Sequence, residues 1–170
     1  MVFERFNTPE EAYNHKLGAA LKMERTVLEI LEVNVRNAED ARVKELLGFH
    51  LEESRANVQN LESVFGVAGW EVDEAPCPVA EAFEKEDKSK IKKARPGVVD
   101  TVVLQGVVEI EHYGIGVYEN LTIRARAMNR QDIVELLQRN VRAKQIALEK
   151  TKALLADLAA PAGVSGDAPG

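Results

Sequence analysis

The 170-residue chain has a single cysteine, Cys77, and few aromatic residues: five phenylalanines, three tyrosines and one tryptophan. A lone cysteine cannot close an internal disulfide, so the fold must rest on a buried core, and a reducing compartment suits it. No stretch approaches the ~20 apolar residues of a membrane span. The N-terminal Met-Val-Phe-Glu-Arg-Phe lacks the charged and then apolar blocks of a secretory signal, so a cytoplasmic protein with no membrane partner is expected. Strand-like alternation is scarce, which disfavours exposed sheets. A phosphate-cradling glycine loop is missing, as is any Ser/His/Asp or Cys/His arrangement with a supporting motif, which sets aside nucleotide-driven and nucleophilic hydrolase chemistry. The net charge of -6 offers no surplus of cations to a nucleic acid, and no nucleic-acid partner is expected.

What remains is a chain 45% apolar and 29% charged, dominated by Leu, Val, Ala, Glu and Lys. This composition predicts an all-α protein. One domain is expected over residues 1–160, followed by a disordered tail at 161–170 that is rich in Ala, Pro and Gly. Thr8-Pro9-Glu10-Glu11 is a helix start, with threonine as cap, proline at the first position and Glu11 completing a capping box; the helix runs to about Arg36. Asn37 is the candidate cap of a second helix that ends near Gly66, and the short turn makes the pair an antiparallel hairpin. From Gly66 to Pro96 the chain is a connector with a short helix at about Val79 to Lys85. Two further helices, at about Gly97 to Met128 and Gln131 to Ala159, form a second hairpin. Two hairpins joined by a long crossover make a ferritin-like four-helix bundle.

Each long helix carries a polar residue on its apolar stripe, near its midpoint. The stripes are Leu17, Leu21, Glu24, Leu28 and Leu31; Val43, Leu46, His50, Glu53, Asn57 and Leu61; Leu104, Val108, Glu111, Ile115 and Tyr118; and Leu137, Val141, Lys144, Leu148 and Thr151. Packed side by side, the four helices bring Glu24, Glu53, Glu111 and Lys144 to about one level. Buried carboxylates need a cation among them. Iron or manganese is one candidate, since bundles of this kind bind such ions through a Glu from each of two helices and Glu-x-x-His pairs from the others. Glu24, Glu53 and Glu111 are then the ligands, with His50 one turn before Glu53, and His112 in Glu109-x-x-His112. Lys144 is the other candidate: it places an ammonium where the metal ion would sit, and that ammonium pairs with carboxylates and repels a metal ion.

The Gly97–Met128 helix has a second apolar face of Val99, Val102, Val103, Val107 and Ile110, which predicts a partner there, most simply a homodimer. Cys77 is a candidate reactive thiol or a tucked-in crossover residue, and Trp70 a crossover anchor. Tyr113 and Tyr118 read as packing or as neighbours of a metal. The cluster Lys88, Lys90, Lys92, Lys93 and Arg95 reads as a solvated loop, because no aromatic residue interleaves it.

The combination of Met23-Glu24, His50-Leu51-Glu52-Glu53-Ser54, Leu61-Glu62-Ser63-Val64-Phe65, Cys77, Asp100, Glu111-His112-Tyr113, Tyr118 and Leu136-Leu137-Gln138 resembles the YciE/YciF family of ferritin-like stress proteins, whose function is largely unknown. The likeness runs from about Tyr13 to Leu158. It implies a ferritin-like fold, and it places Glu24, Glu53 and Glu111 at the family's acidic positions. The chain departs from the family pattern at Gly114, where a second glutamate is usual, and at Ala143-Lys144, which replace a Glu-Glu pair. The resemblance therefore implies a mononuclear or an empty site. Two functions follow as expectations: a noncatalytic stress or structural bundle whose carboxylates are neutralised by Lys144, or an oxidoreductase or metal-handling protein with a di- or mononuclear iron or manganese site on Glu24, Glu53, Glu111 and a histidine.

Overall fold

The computed structural model describes residues 5–160; the tail expected to be disordered, 161–170, lies outside the described residues. Among the described residues five helices follow one another: α1 (Pro9–Asn37), α2 (Ala41–Ala68), α3 (Pro78–Lys93), α4 (Val99–Ala127) and α5 (Gln131–Ala159). The long helices α1, α2, α4 and α5 make the four-helix bundle, with α1 and α2 as one hairpin and α4 and α5 as the other. The hairpins join through α1 against α4 and α2 against α5, while α3 lies in the groove between α1 and α4.

Hydrogen bonds at the helix ends fix the directions. Both carboxylate oxygens of Asp100, in the first turn of α4, accept backbone N–H groups just before α2, from Glu39 and from Asp40, each at 2.8 Å. The Glu39 carboxylate in return accepts from Gly97 N at 2.7 Å. At the opposite end Arg130, just before α5, donates to the carbonyl of Val67 near the end of α2. Helix α2 is therefore parallel to α4 and antiparallel to α5, and the chain from Gly69 to Val98 must run the length of the bundle. Helix α3 covers about 24 Å of it, at about 1.5 Å per residue. Replacing Asp100 with alanine strips two N–H groups of their acceptor, and we expect a loss of about 1–2 kcal/mol, read from urea unfolding.

Helix ends differ from expectation in three places. Asp40, not Asn37, caps α2, accepting from Arg42 N at 2.7 Å; Asn37 closes α1 by donating to Val33 O. Helix α2 passes through Gly66 and stops at Gly69, whose φ of 75° is the left-handed conformation that glycine adopts without strain. Thr8 caps α1 as expected, but Glu11 reaches back one residue further, to Asn7 N, at 2.7 Å.

The largest departure is α3. It spans sixteen residues and carries Lys88, Lys90, Lys92 and Lys93, which are helical and not in a loop. Pro78 starts it, and the pairs Glu84–Lys88 and Glu86–Lys90, each four residues apart, support it on the solvent side. Phe83, Ile91 and Ala94, from α3 and its end, pack against the apolar cluster that holds Val99, Val103, Val107 and Ile110, so much of the face of α4 that suggested a partner is buried within the chain. Trp70 does anchor the crossover, its ring 6.1 Å from that of Tyr13. Just beyond, the backbone crosses α1 so closely that a β-carbon at Gly18 would sit 2.8 Å from the carbonyl oxygen of Asp73.

The core falls into two apolar clusters along the bundle. One holds Leu17, Leu21, Leu61, Phe65, Leu121 and Leu137, and the other Val27, Leu31, Leu47, Val103, Leu104 and Val107. Between Leu21 and Val27 on α1, and between Val107 and Leu121 on α4, lie Glu24 and Glu111. The polar layer thus occupies the middle of the bundle. No helix among the described residues is long and apolar enough to cross a membrane.

Candidate functional site

Helices α1, α4 and α5 each send one charged side chain into this layer. Glu24 is wholly buried, and Glu111 and Lys144 are each 2% exposed. Lys144 Nζ lies 3.0 Å from Glu24 Oε1 and 3.2 Å from Glu111 Oε2, bridging carboxylates from two different helices. The Tyr118 hydroxyl donates to the same Glu24 oxygen at 2.8 Å. One turn before Lys144, the buried Asn140 donates to Asn57 O at 3.1 Å and accepts from Asn60 at 2.7 Å, tying α5 to α2.

Space for the lysine comes from Gly114. A β-carbon there would stand 2.7 Å from both Cδ and Cε of Lys144 and 3.2 Å from Nζ, distances no side chain accommodates without displacing the amine. The two departures from the family pattern, Gly114 and Lys144, are therefore halves of one arrangement. Gly114→Ala should cost about 1–3 kcal/mol through overpacking. In a Lys144→Ala background the clash is gone, and the same change should instead stabilise by about 0.5–1 kcal/mol, the helix propensity gained. A double-mutant cycle by chemical denaturation reads the sign change.

Electrostatics follow from burial and from these pairings. Burial works against the charge on Lys144, but the Glu111 and Glu24 carboxylates outweigh it and raise its pKa. Glu111 is pushed up by burial, with Lys144 pulling it down and Glu24 pushing it further up. Burial also raises Tyr118 well above the ordinary phenol, reinforced by the Glu24 charge, so it stays a hydrogen-bond donor. Two carboxylates thus share one ammonium in the layer.

The α2 limb of the expected set stands apart from this triad. Glu53 is half-buried; burial raises its pKa against the pull of Lys150 and Lys144, and its Oε2 has no hydrogen-bond partner. His50 is buried with Nε2 3.5 Å from Thr151 Oγ1. Since that hydroxyl donates to Ala147 O at 2.8 Å, it accepts from Nε2–H, leaving Nδ1 a bare and unpartnered lone pair. Burial, with the charges of Lys144 and Lys150, lowers His50 to about 4, so the ring is neutral. Glu53, His50, Glu111 and Lys144 line a common seam too tight to admit a water.

The remaining candidates lie elsewhere. His112 and Glu109 are exposed; His112 shares a shallow surface cleft with Lys16 and Asn120, and Glu109 is 4.0 Å from Lys90. Cys77 is buried, its Sγ 3.6 Å from the hydroxyl of Tyr113. Among the described residues, no three His, Cys, Asp or Glu side chains are grouped so that they could hold a metal ion together. Sequence reasoning placed Tyr118 on the stripe without its bond to Glu24. It passed over Asn140, which sits between Leu137 and Val141 as one more polar residue at helical spacing.

Residues 8–162 match the family described as a domain of unknown function, DUF892. The chain belongs to this family. Two solved structures share the fold. YcfI from Rhodopseudomonas palustris is 24% identical, with a TM-score of 0.85 over 89% of this chain and 98% of its own. The E. coli stress protein YciF is 19% identical, with a TM-score of 0.85 over 90% of this chain and 98% of its own. No curated protein matches the sequence.

Proposed function

We propose that this is a noncatalytic, cytoplasmic bundle protein of the stress-related YciF type, in which Lys144 holds the core carboxylates that metal would otherwise hold. The observation that carries the reading is the ammonium of Lys144 seated 3.0 and 3.2 Å from Glu24 and Glu111. A bound iron or manganese ion would have to share that space with a positive charge, against a Coulomb repulsion that a low-dielectric core makes severe. Gly114 favours the same reading, since the seat is shaped for a lysine side chain. The residues as arranged do not fit a metal centre. The layer's role is then structural: three helices fixed in register by one charge network, in a core that apolar side chains alone would hold less specifically.

A mononuclear iron or manganese site is the second reading, favoured by the unpartnered Nδ1 of His50 and the unpartnered Oε2 atoms of Glu53 and Glu24. Elemental analysis separates the two. Protein expressed with added iron and manganese should purify folded with far less than one ion per chain, and should not consume oxygen or peroxide. Stoichiometric metal that is lost on Glu111→Ala would overturn the proposal in favour of the second reading.

A further inference from the structure

The crossover helix buries a carboxylate of its own, outside the layer described above. The stripe of α3 that faces the bundle is Ala80, Phe83, Asp87 and Ile91, and Asp87 is 6% exposed. Beneath it on α4 is Gly106, where a β-carbon would lie 2.9 Å from Asp87 Oδ1, so the glycine makes the seat. Beside it on α1 is the wholly buried Asn34. Asp87 Oδ2 and both amide atoms of Asn34 have no hydrogen-bond partner. The space alongside is about 10 Å³, room for one water at most.

The cations nearby are engaged elsewhere. On α3, Lys88 pairs with Glu84, and Lys90 with Glu86 at 2.7 Å; on α4, Glu109 is 4.0 Å from Lys90; on α1, Glu29 acts on Lys88. Asp87 thus faces Glu86, Glu109 and two lysines that already have partners, with the neutral, buried Asn34 beside it. The Asn34 amide favours the ionised form, but burial outweighs it, so the neutral carboxylic acid is the form that this seat favours.

We propose that Asp87 makes α3 a proton-fastened strap over the α1–α4 groove: with a proton on Asp87 the helix seats fully, and loss of that proton loosens it from the apolar strip of Val103, Val107 and Ile110. Burial pushes the Asp87 carboxyl up to about 6, with Asn34 pulling the other way, from an ordinary 3.8. A seated carboxyl whose pKa is raised holds its proton more tightly than a released one. Seating is therefore at full strength below 3.8, weakens as the pH rises to about 6, and is level above.

Hydrogen exchange resolved to the α3 amides tests this on the full chain, with intrinsic exchange rates corrected for pH. In the wild type, the opening constant of α3 should rise about tenfold between about pH 5 and about pH 7, with no matching rise in α2 or α5. In Asp87→Asn, which keeps the shape of the neutral acid, α3 should stay protected and independent of pH. The same pH response in Asp87→Asn, or an α3 that follows the other helices in the wild type, overturns the proposal. Should the variant not fold, the carbon-13 titration of the wild-type Asp87 carboxyl decides: a midpoint near 6 supports the strap, and one at the ordinary 3.8 overturns it.

Discussion

Lys144→Met should remove about 3–5 kcal/mol of folding stability at neutral pH, the cost of leaving a buried ion pair without one partner. The methionine fills much of the lysine's volume, so the loss is electrostatic and not a cavity. Glu24 and Glu111 would be left buried with Tyr118 as donor to one oxygen and no cation for either. With the ammonium gone, the downward pull on Glu111 disappears while burial and the Glu24 charge still push it up, so its folded pKa moves further above the unfolded one. A carboxyl raised in the folded state favours folding below its unfolded pKa and penalises it as the pH rises through the folded value. The gap between variant and wild type should therefore be widest at neutral pH and narrow on acidification, as urea midpoints across the pH range would record. A gap independent of pH would mean that packing, and not charge, is the role of Lys144.

Lys144→Glu should have the opposite chemical consequence and create affinity for iron or manganese. It replaces the internal cation with a third buried carboxylate, and the room left by Gly114 remains. Three like charges cannot stay ionised together in the core without a cation. The variant without metal should be destabilised more than Lys144→Met. Manganese(II) at a hundredfold excess over its dissociation constant should then restore about 2.7 kcal/mol by binding the folded state alone. Thermal unfolding with and without the ion, together with metal analysis after desalting, reads both effects. A folded variant that takes up no metal would show that more than the lysine bars the site.

The core layer was legible in the sequence because a charge on an apolar stripe is conspicuous. Glu24, Glu111 and Lys144 interrupt apolar stripes made mostly of Leu, Val and Ile, and the interruption survives errors of a residue or two at the helix ends. The resemblance flagged Gly114 and Lys144 separately as departures. That one makes room for the other depends on the facing of α4 and α5, which spacing along the chain does not reveal. Glu53 shows the converse: it shares the stripe of His50 and Asn57, yet α2 is rotated so that it sits at the margin of the layer. Helix α3 was misread because its apolar stripe is short and includes Asp87, so the same signal that marked Glu111 was lost among many charges. Asp100 is one of the residues that carry the family resemblance, but its bonds to Glu39 and Asp40 require α2 and α4 to begin side by side, a fact of topology.

The most direct measurement is nitrogen-15 NMR of the lysine side chains in the presence and absence of manganese(II) or iron(II). If Lys144 supplies the positive charge of the layer, one ammonium resonance should be protected from exchange with water, keep its protons past the ordinary lysine value of 10.5, vanish in Lys144→Met and stay in place when metal is added. An amine that titrates at or below 10.5, or one that a stoichiometric ion displaces from Glu24 and Glu111, would contradict the account.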